Sequence, residues 1–140
     1  MAEVLVGMGS NIEPEQNLLQ AAAALRAEFG AMEFSSLYCS PAVGMDGDDF
    51  LNACCLLSSD LTPERIRQSL KALEDAQGRD RSKGSWKPRT LDLDLLMYDG
   101  RVIDAELYRY AHAYVPALEL VELDAPDFEA QTLTPVALRL

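Results

Sequence analysis

The sequence holds little of what usually betrays a metal site or a secreted fold. It has one histidine, His112, and three cysteines, Cys39, Cys54 and Cys55. No two cysteines are spaced CxxC, so a structural zinc site is not expected. With an odd cysteine count, two of them adjacent in an apolar run, a disulfide framework is not expected and a reduced, cytoplasmic setting fits best. No apolar stretch is long enough to span a bilayer. The opening "MAEVLVGMGSN" lacks both a basic n-region and a long apolar h-region, so neither a membrane span nor a signal peptide is expected. Positive charge is scarce too. Twelve Lys and Arg face 23 Asp and Glu, a net charge of −11 that argues against general nucleic-acid or membrane binding. Internal repeats and low-complexity linkers are absent. The 140 residues, 49% apolar and 25% charged, read as one domain over 1–140 with a sizeable core. A monomer is the expectation, although composition does not decide it.

The apolar pattern gives an order of elements. "AEVLVGMG" predicts a strand over 3–8. Pro14 and Glu15 suit a first helical turn, Leu18, Leu19, Ala22, Leu25 and Phe29 recur at helical spacing, and Gly30 ends the run. A second strand is expected over 32–39 and a third over "FLNACCLLSS", which is apolar enough to be central. Thr62 and Pro63 open a second helix with Ile66, Leu70 and Leu73 on its buried stripe, closed by Gly78. A fourth strand follows over 91–97, then a turn at Asp99-Gly100. The tail offers one short helix near 116–122. The order βαββαβ predicts an α+β, ferredoxin-like layout: an antiparallel sheet with two helices on one face. That layout hosts many functions and decides none.

The chemistry concentrates in "KGSWKPRTLDLDLLMYDG", residues 83–100. Strand alternation puts Asp92 and Asp94 on one face and Leu91, Leu93 and Leu95 on the other. The two carboxylates then stand roughly 6–7 Å apart, from two rises of about 3.3 Å. Aspartate is depleted in strands, and like charges on one face repel unless a cation lies between them. Hard divalent cations such as Mg²⁺ would relieve the pair; a solvent-facing strand is the plainer reading. Just upstream, Arg79, Arg81, Lys83, Lys87 and Arg89 supply five of the twelve basic residues, opposed only by Asp80. Carboxylates that hold metal, beside guanidinium groups that grip phosphate, are what phosphoryl transfer needs. Trp86 either closes over a flat ligand or anchors the loop. Asn52, inside an apolar strand, is satisfied either by backbone or by a ligand with ring N–H and carbonyl groups. Gly7 and Gly9 permit close approach of a ligand or simply close packing.

"GSN" after the first strand, "SPAVG" then "FLN" before the third, and "GRDRSKGSWKPRTLDLDLLMYDG" together resemble the 6-hydroxymethyl-7,8-dihydropterin pyrophosphokinase family of folate biosynthesis. The resemblance runs from about residue 4 to 104, and W-x-P-R-T-L-D-L-D is its most specific part. It implies transfer of pyrophosphate from ATP to the pterin hydroxymethyl group with two Mg²⁺ ions, so ATP and the pterin are the expected partners. By the same resemblance Asp92 and Asp94 would bind both metals, and Arg79, Arg81 and Arg89 would face the phosphates. Trp86 would belong to the loop that seals the site. Asn52 would bond the pterin, Phe50 would stack on it, and Ser40, Pro41 and Val43 would line its pocket. Lys71, Glu74, Leu95 and His112 would lie on the nucleotide side, with Tyr114 as a second ring for the pterin.

Three departures stand out. Lys87 replaces the glycine usual before Pro-Arg-Thr. The C-terminal Pro-His segment is shortened. "YRYAHAYVPALEL" keeps His112 and Tyr114 in a compressed spacing, with no arginine after the histidine until Arg139. They make a divergent paralogue, with another acceptor or none, the alternative reading. A ferredoxin-like module whose acidic face binds a basic partner ranks third, because it leaves the Asp pair unexplained.

Overall fold

The structure is a computed structural model that describes residues 1–40, 50–77, 91–124 and 133–140. Strand β1 (Ala2–Ser10) leads into helix α1 (Pro14–Phe29) and two short strands, β2 (Glu33–Phe34) and β3 (Leu37–Ser40). Strand β4 (Phe50–Ser59), helix α2 (Pro63–Ala76) and strand β5 (Asp92–Tyr98) follow. The remainder is β6 (Arg101–Val102), α3 (Glu106–Arg109), α4 (Ala111–Leu118) and β7 (Thr134–Val136). Among the described residues the strands form one sheet in the order β6-β5-β1-β4-β3-β7, with β2 also paired to β4. Each pairing is antiparallel. The inner order β5-β1-β4-β3 is that of the expected βαββαβ unit, with β1 at its centre.

Period-two alternation divides the side chains between two faces. Val4, Val6 and Met8 of β1, Ala53 and Cys55 of β4, and Leu93 and Leu95 of β5 pack with Leu18 and Leu25 of α1 and Ile66 and Leu70 of α2. On the opposite face Leu5, Cys54 and Leu96 lie under Leu107, Ala113 and Ala117 of α3 and α4. The adjacent cysteines Cys54 and Cys55 therefore serve different layers. Both are fully buried free thiols whose pKa burial raises, that of Cys55 to about 12. Two helices on one face was the expectation; the tail adds a helical layer on the other, so the sheet is covered twice.

The tail differs for a definable reason. Proline favours the first position of a helix, so Pro116 reads as a start near 116. In the structure α4 begins at Ala111 and Pro116 lies inside it, fully buried. Burying Ala113 and Ala117 against the sheet outweighs the hydrogen bond that a proline nitrogen cannot donate. The expected second strand is also broken. Ser35 exchanges bonds with Cys54: its N–H donates to the Cys54 carbonyl at 2.8 Å, and its Oγ accepts from the Cys54 N–H at 2.8 Å. The chain bends there, and β3 starts two residues later.

Two local devices set up the site. Asp99 and Gly100 both have positive φ, 51° and 81°, the geometry of a two-residue hairpin turn between β5 and β6. One turn earlier the β1–β5 register slips, pairing Leu5 with Met97 but Val6 with Leu95. Leu96 is the extra residue of this bulge, and its carbonyl accepts the N–H groups of Ile103 and Asp104 at 2.8 and 3.2 Å. The returning chain is thereby held against β5.

Glu119, just past α4, ties the second helical layer to β3. Its carboxylate accepts from the Ser36 N–H and Oγ, both at 3.0 Å, and from the Tyr38 hydroxyl at 2.7 Å. Burial alone would raise its pKa; the bonds from Ser36 and Tyr38 and the charge of Arg139 outweigh that and lower it below 4.5. A depressed carboxylate pKa contributes stability above the unfolded value, lost as pH falls through the folded one. Glu119→Gln should therefore cost about 0.5–1.5 kcal/mol at pH 7 by chemical denaturation, a difference that shrinks below about pH 4. An equal cost at pH 3 and pH 7 would show that the charge of Glu119 is not what holds β3.

Candidate active site

The register of the three central strands builds the site. Gly9 of β1 pairs with Asn52 on one side and Asp92 on the other; Gly7 pairs with Cys54 and Asp94. All of these lie on the face covered by α3 and α4. Where β1 should project side chains between Asn52 and the aspartates, it has none. A Cβ on Gly9 would meet Asn52 Oδ1 at 3.2 Å and Phe50 Cδ1 at 3.9 Å, and one on Gly7 would meet Leu96 Cδ1 at 3.0 Å. The paired glycines leave a bare floor. At about 4.8 Å per strand spacing, Asn52 and Asp92 stand on the order of 10 Å apart across it.

Over this floor lies a cavity of about 370 Å³. Ser40, Phe50 and Asn52 line it from β3 and β4, and Asp92 and Asp94 from β5. Asp104, Glu106 and His112 close it from the far side. Asn52 is buried, and its Nδ2 donates to Ser40 Oγ at 2.7 Å, which fixes the amide plane. A second recess of about 390 Å³ opens along the outer edge of β5, between Arg67, Lys71 and Glu74 of α2 and Leu93, Leu95 and Ala105. Asp94 and Asp104 line both recesses and form the wall between them. Glu74 is buried and accepts the Leu93 N–H at 2.8 Å, which satisfies an edge donor of β5 and fixes the helix to the strand.

Negative charge is concentrated here. Asp94 reaches solvent through the cavity mouth, but the walls thin its hydration. That loss, followed by the charges of Asp92, Glu106, Asp104 and Glu74, pushes its pKa up to about 7. Two strand aspartates are hard oxygen donors of the kind that bind Mg²⁺, with the rest of the shell left to phosphate and water. Among the described residues no group of three or more His, Cys, Asp or Glu is arranged to hold a metal by itself. The donor set thus fits an ion bound jointly with a phosphorylated ligand.

The expected site residues divide as follows. Ser40, Phe50, Asn52, Asp92, Asp94 and His112 meet at the first cavity, and Lys71, Glu74 and Leu95 at the second. His112 stands with the Phe50–Asn52 group and not with Lys71 and Glu74. Tyr114 lines neither recess: it is 7% exposed, and its hydroxyl donates to the Asp124 carbonyl at 2.6 Å. Pro41, Val43, Arg79, Arg81, Trp86 and Arg89 lie outside the described residues. Asp104, Glu106 and Arg67 were not anticipated. The Asp99-Gly100 hairpin was the available signal for the first two, because it turns the chain back along β5. Asp104 Oδ1 accepts the Glu106 N–H at 3.0 Å, a helix-start bond that by itself points to structure and not to a ligand.

A raised carboxyl pKa means that the folded protein holds its proton more tightly than the unfolded chain does. Its contribution to stability is full below about pH 4 and is lost as pH rises toward 7. Asp94→Asn should therefore raise the Tm relative to the native chain at pH 8 in EDTA, with the difference vanishing near pH 4. Added Mg²⁺ and ATP should stabilise the native chain more than the variant. A variant less stable than the native chain at pH 8 would contradict the charge crowding described.

The model of the 7,8-dihydro-6-hydroxymethylpterin-pyrophosphokinase family matches residues 5–124. The 2-amino-4-hydroxy-6-hydroxymethyldihydropteridine pyrophosphokinase of Synechocystis sp. is 41% identical over 103 residues, covering 71% of this chain and about half (52%) of that protein. The protein of the same name from Pseudomonas aeruginosa is 34% identical over 136 residues, 94% of this chain and 83% of its own length. That from Aquifex aeolicus is 28% identical over 138 residues, 97% and 86%. With a match that takes in most of β1, the glycine floor, both strand aspartates and the α3–α4 wall, the chain belongs to the 7,8-dihydro-6-hydroxymethylpterin-pyrophosphokinase family.

Proposed function

We propose that this protein transfers the β,γ-diphosphoryl group of ATP to the hydroxymethyl oxygen of 6-hydroxymethyl-7,8-dihydropterin, releasing AMP, as a step of folate biosynthesis. One observation carries the reading: Asp94, beside Asp92, stands between two recesses of different character. The first has a bare floor, an aromatic edge and a fixed amide, and suits a flat heterocycle with polar edges. The second, with Arg67 and Lys71, suits a polyanion. The relatives are named for this reaction.

In this reading Phe50 offers its ring to the pterin, and Asn52 bonds the pterin edge with an amide held in place by Ser40. The glycine floor lets the ring lie against backbone, with its hydroxymethyl group toward the aspartates. Lys71 lies on the nucleotide side. Glu74 acts from beneath by holding β5 to α2. Arg79, Arg81 and Arg89 are assigned to the phosphates and Trp86 to closure, on the sequence resemblance. Asp92 and Asp94 would hold Mg²⁺, which when bound neutralises phosphate charge and polarises the phosphoryl oxygens. The hydroxymethyl oxygen forms a bond to the β-phosphorus, the bond from that phosphorus to the α,β-bridging oxygen breaks, and AMP departs with that oxygen. The hydroxyl proton passes to solvent or to phosphate. The chain contributes mainly position and charge.

Among the described residues no helix is long and apolar enough to cross a membrane. The placement of Tyr114 away from both recesses favours, as second reading, a relative that takes a different acceptor. One assay separates the two. Incubation with ATP, Mg²⁺ and 6-hydroxymethyl-7,8-dihydropterin should yield AMP and the pterin diphosphate. Asp92→Ala and Asp94→Ala should each lower kcat by at least about a hundredfold with far-UV circular dichroism unchanged. Tight ATP binding without AMP formation would favour the second reading, and full activity in either aspartate variant would remove the metal assignment.

A further inference from the structure

Tyr38 stands at the outer end of the row that makes the cavity floor. Tyr38 pairs with Asn52, Asn52 with Gly9 and Gly9 with Asp92, one residue from each of four neighbouring strands. Paired residues share a face, so the Tyr38 side chain rises on the side covered by α4, about 4.5–5.5 Å from that of Asn52. Ser40, two residues on, shares that face and accepts the Asn52 amide. A ring in this place is near enough to crowd the cavity, yet Ser40, Phe50 and Asn52 line it and Tyr38 does not.

Glu119 is the reason. Its Oε1 accepts the Ser36 N–H and the Ser36 hydroxyl, both at 3.0 Å, and its Oε2 accepts the Tyr38 hydroxyl at 2.7 Å. Ser36 precedes β3 and Ser40 ends it, so one carboxylate draws the phenol toward the Ser36 end, away from Ser40 and Asn52. Packing alone does not hold the ring there, because Tyr38 is only half-buried. A strand residue has two common χ1 rotamers, and this hydrogen bond selects one of them. Glu119 also follows directly on α4, the helix that brings His112 and Ala113 to the cavity.

We propose that Glu119 is a positioning residue for heterocycle binding: it holds the Tyr38 ring off the Ser40–Asn52 edge and fixes the end of α4 over β3, which keeps the cavity open to a flat ligand. This rests on the pterin reading above. Glu119 acts through Tyr38 and Ser36 and not on the ligand. Without it, Tyr38 takes its other rotamer and leans toward Ser40, where the ring competes for the space over Asn52. The nucleotide recess lies beyond Asp94 and Asp104, on the far side of the floor from Tyr38, and does not feel the change. Glutamine keeps the latch, because its amide oxygen accepts from Ser36 and its amide N–H donates to the Tyr38 oxygen.

The test is calorimetry at pH 7.5, below the melting temperature of every variant, with two probes: 6-hydroxymethyl-7,8-dihydropterin and a non-hydrolysable ATP analogue, each with Mg²⁺. Glu119→Ala should weaken the pterin by roughly three- to tenfold, the span of one ordinary hydrogen bond, and leave the ATP analogue within about twofold. Glu119→Gln should bind the pterin nearly as the native chain does. The deciding variant combines Glu119→Ala with Tyr38→Ala: it should recover most of the lost pterin affinity, although it adds no contact. In turnover the loss and its recovery should appear in KM for the pterin, with kcat little changed. If Glu119→Ala fails to fold, Tyr38→Phe frees the ring while keeping the Ser36 bonds, and should weaken the pterin where Tyr38→Ala does not. Unchanged pterin affinity in Glu119→Ala, a loss that removal of the ring fails to recover, or an equal loss for the ATP analogue would overturn the proposal while the pterin reading stands. A native chain that binds the ATP analogue but no pterin would overturn both.

Discussion

The pairing of two glycines with two aspartates on neighbouring strands is the constraint on which the site depends. Gly7 faces Asp94 and Gly9 faces Asp92 across the β1–β5 ladder. The floor is bare because β1 has no side chains at those positions, and Gly9 also spares Asn52 and Phe50 a clash on the other side. Either half alone would mean little. Glycines in a central strand weaken it, and aspartates on a buried face repel. Set opposite each other, they make a recess with a polar edge at one end and an acidic end on the order of 10 Å away.

Such a site costs stability, and the surroundings show how the fold carries that cost. Asp94 is raised to about 7 by lost hydration and by four other carboxylates. On the opposite side Leu91, just before β5, and Leu93 and Leu95 within it are all buried in the core beneath α1 and α2. The strand is thus pinned from behind by apolar burial and at its edge by Glu74, while its front face keeps the unfavourable charge of Asp92 and Asp94. The bulge at Leu96 serves the same end, since its carbonyl holds Asp104 where it can separate the two recesses.

The second helical layer turns the floor into a cavity. Without α3 and α4 the glycines and aspartates would face open solvent, and no wall would oppose Phe50. The layer is held at one end by apolar packing of Leu107, Ala113 and Ala117 and at the other by Glu119 gripping Ser36 and Tyr38 of the β3 segment. The shape of the cavity depends on where this layer rests.

The sequence by itself determined the repeating parts. Alternation assigned the faces of β1, β4 and β5 up to the bulge at Leu96, so the shared face of Asp92 and Asp94 was legible from the sequence, whereas the side taken by Met97 and Tyr98 beyond the bulge was not. Caps and helical spacing placed α1 and α2 for the same local reason: Thr62 Oγ1 does accept the Arg65 N–H, and Pro63 does open the helix. Only tertiary structure decided what meets across strands and layers. The register that sets glycine opposite aspartate is a relation between segments about 85 residues apart, and no local pattern carries it. The start of α4 at Ala111 rather than near Pro116 was decided by apolar burial against Leu5, Cys54 and Leu96, which outweighs a local proline signal. That His112 lines the first cavity and Tyr114 does not follows from that start, because where a helix docks on its sheet decides which of two rings two residues apart faces the cavity and which faces the tail.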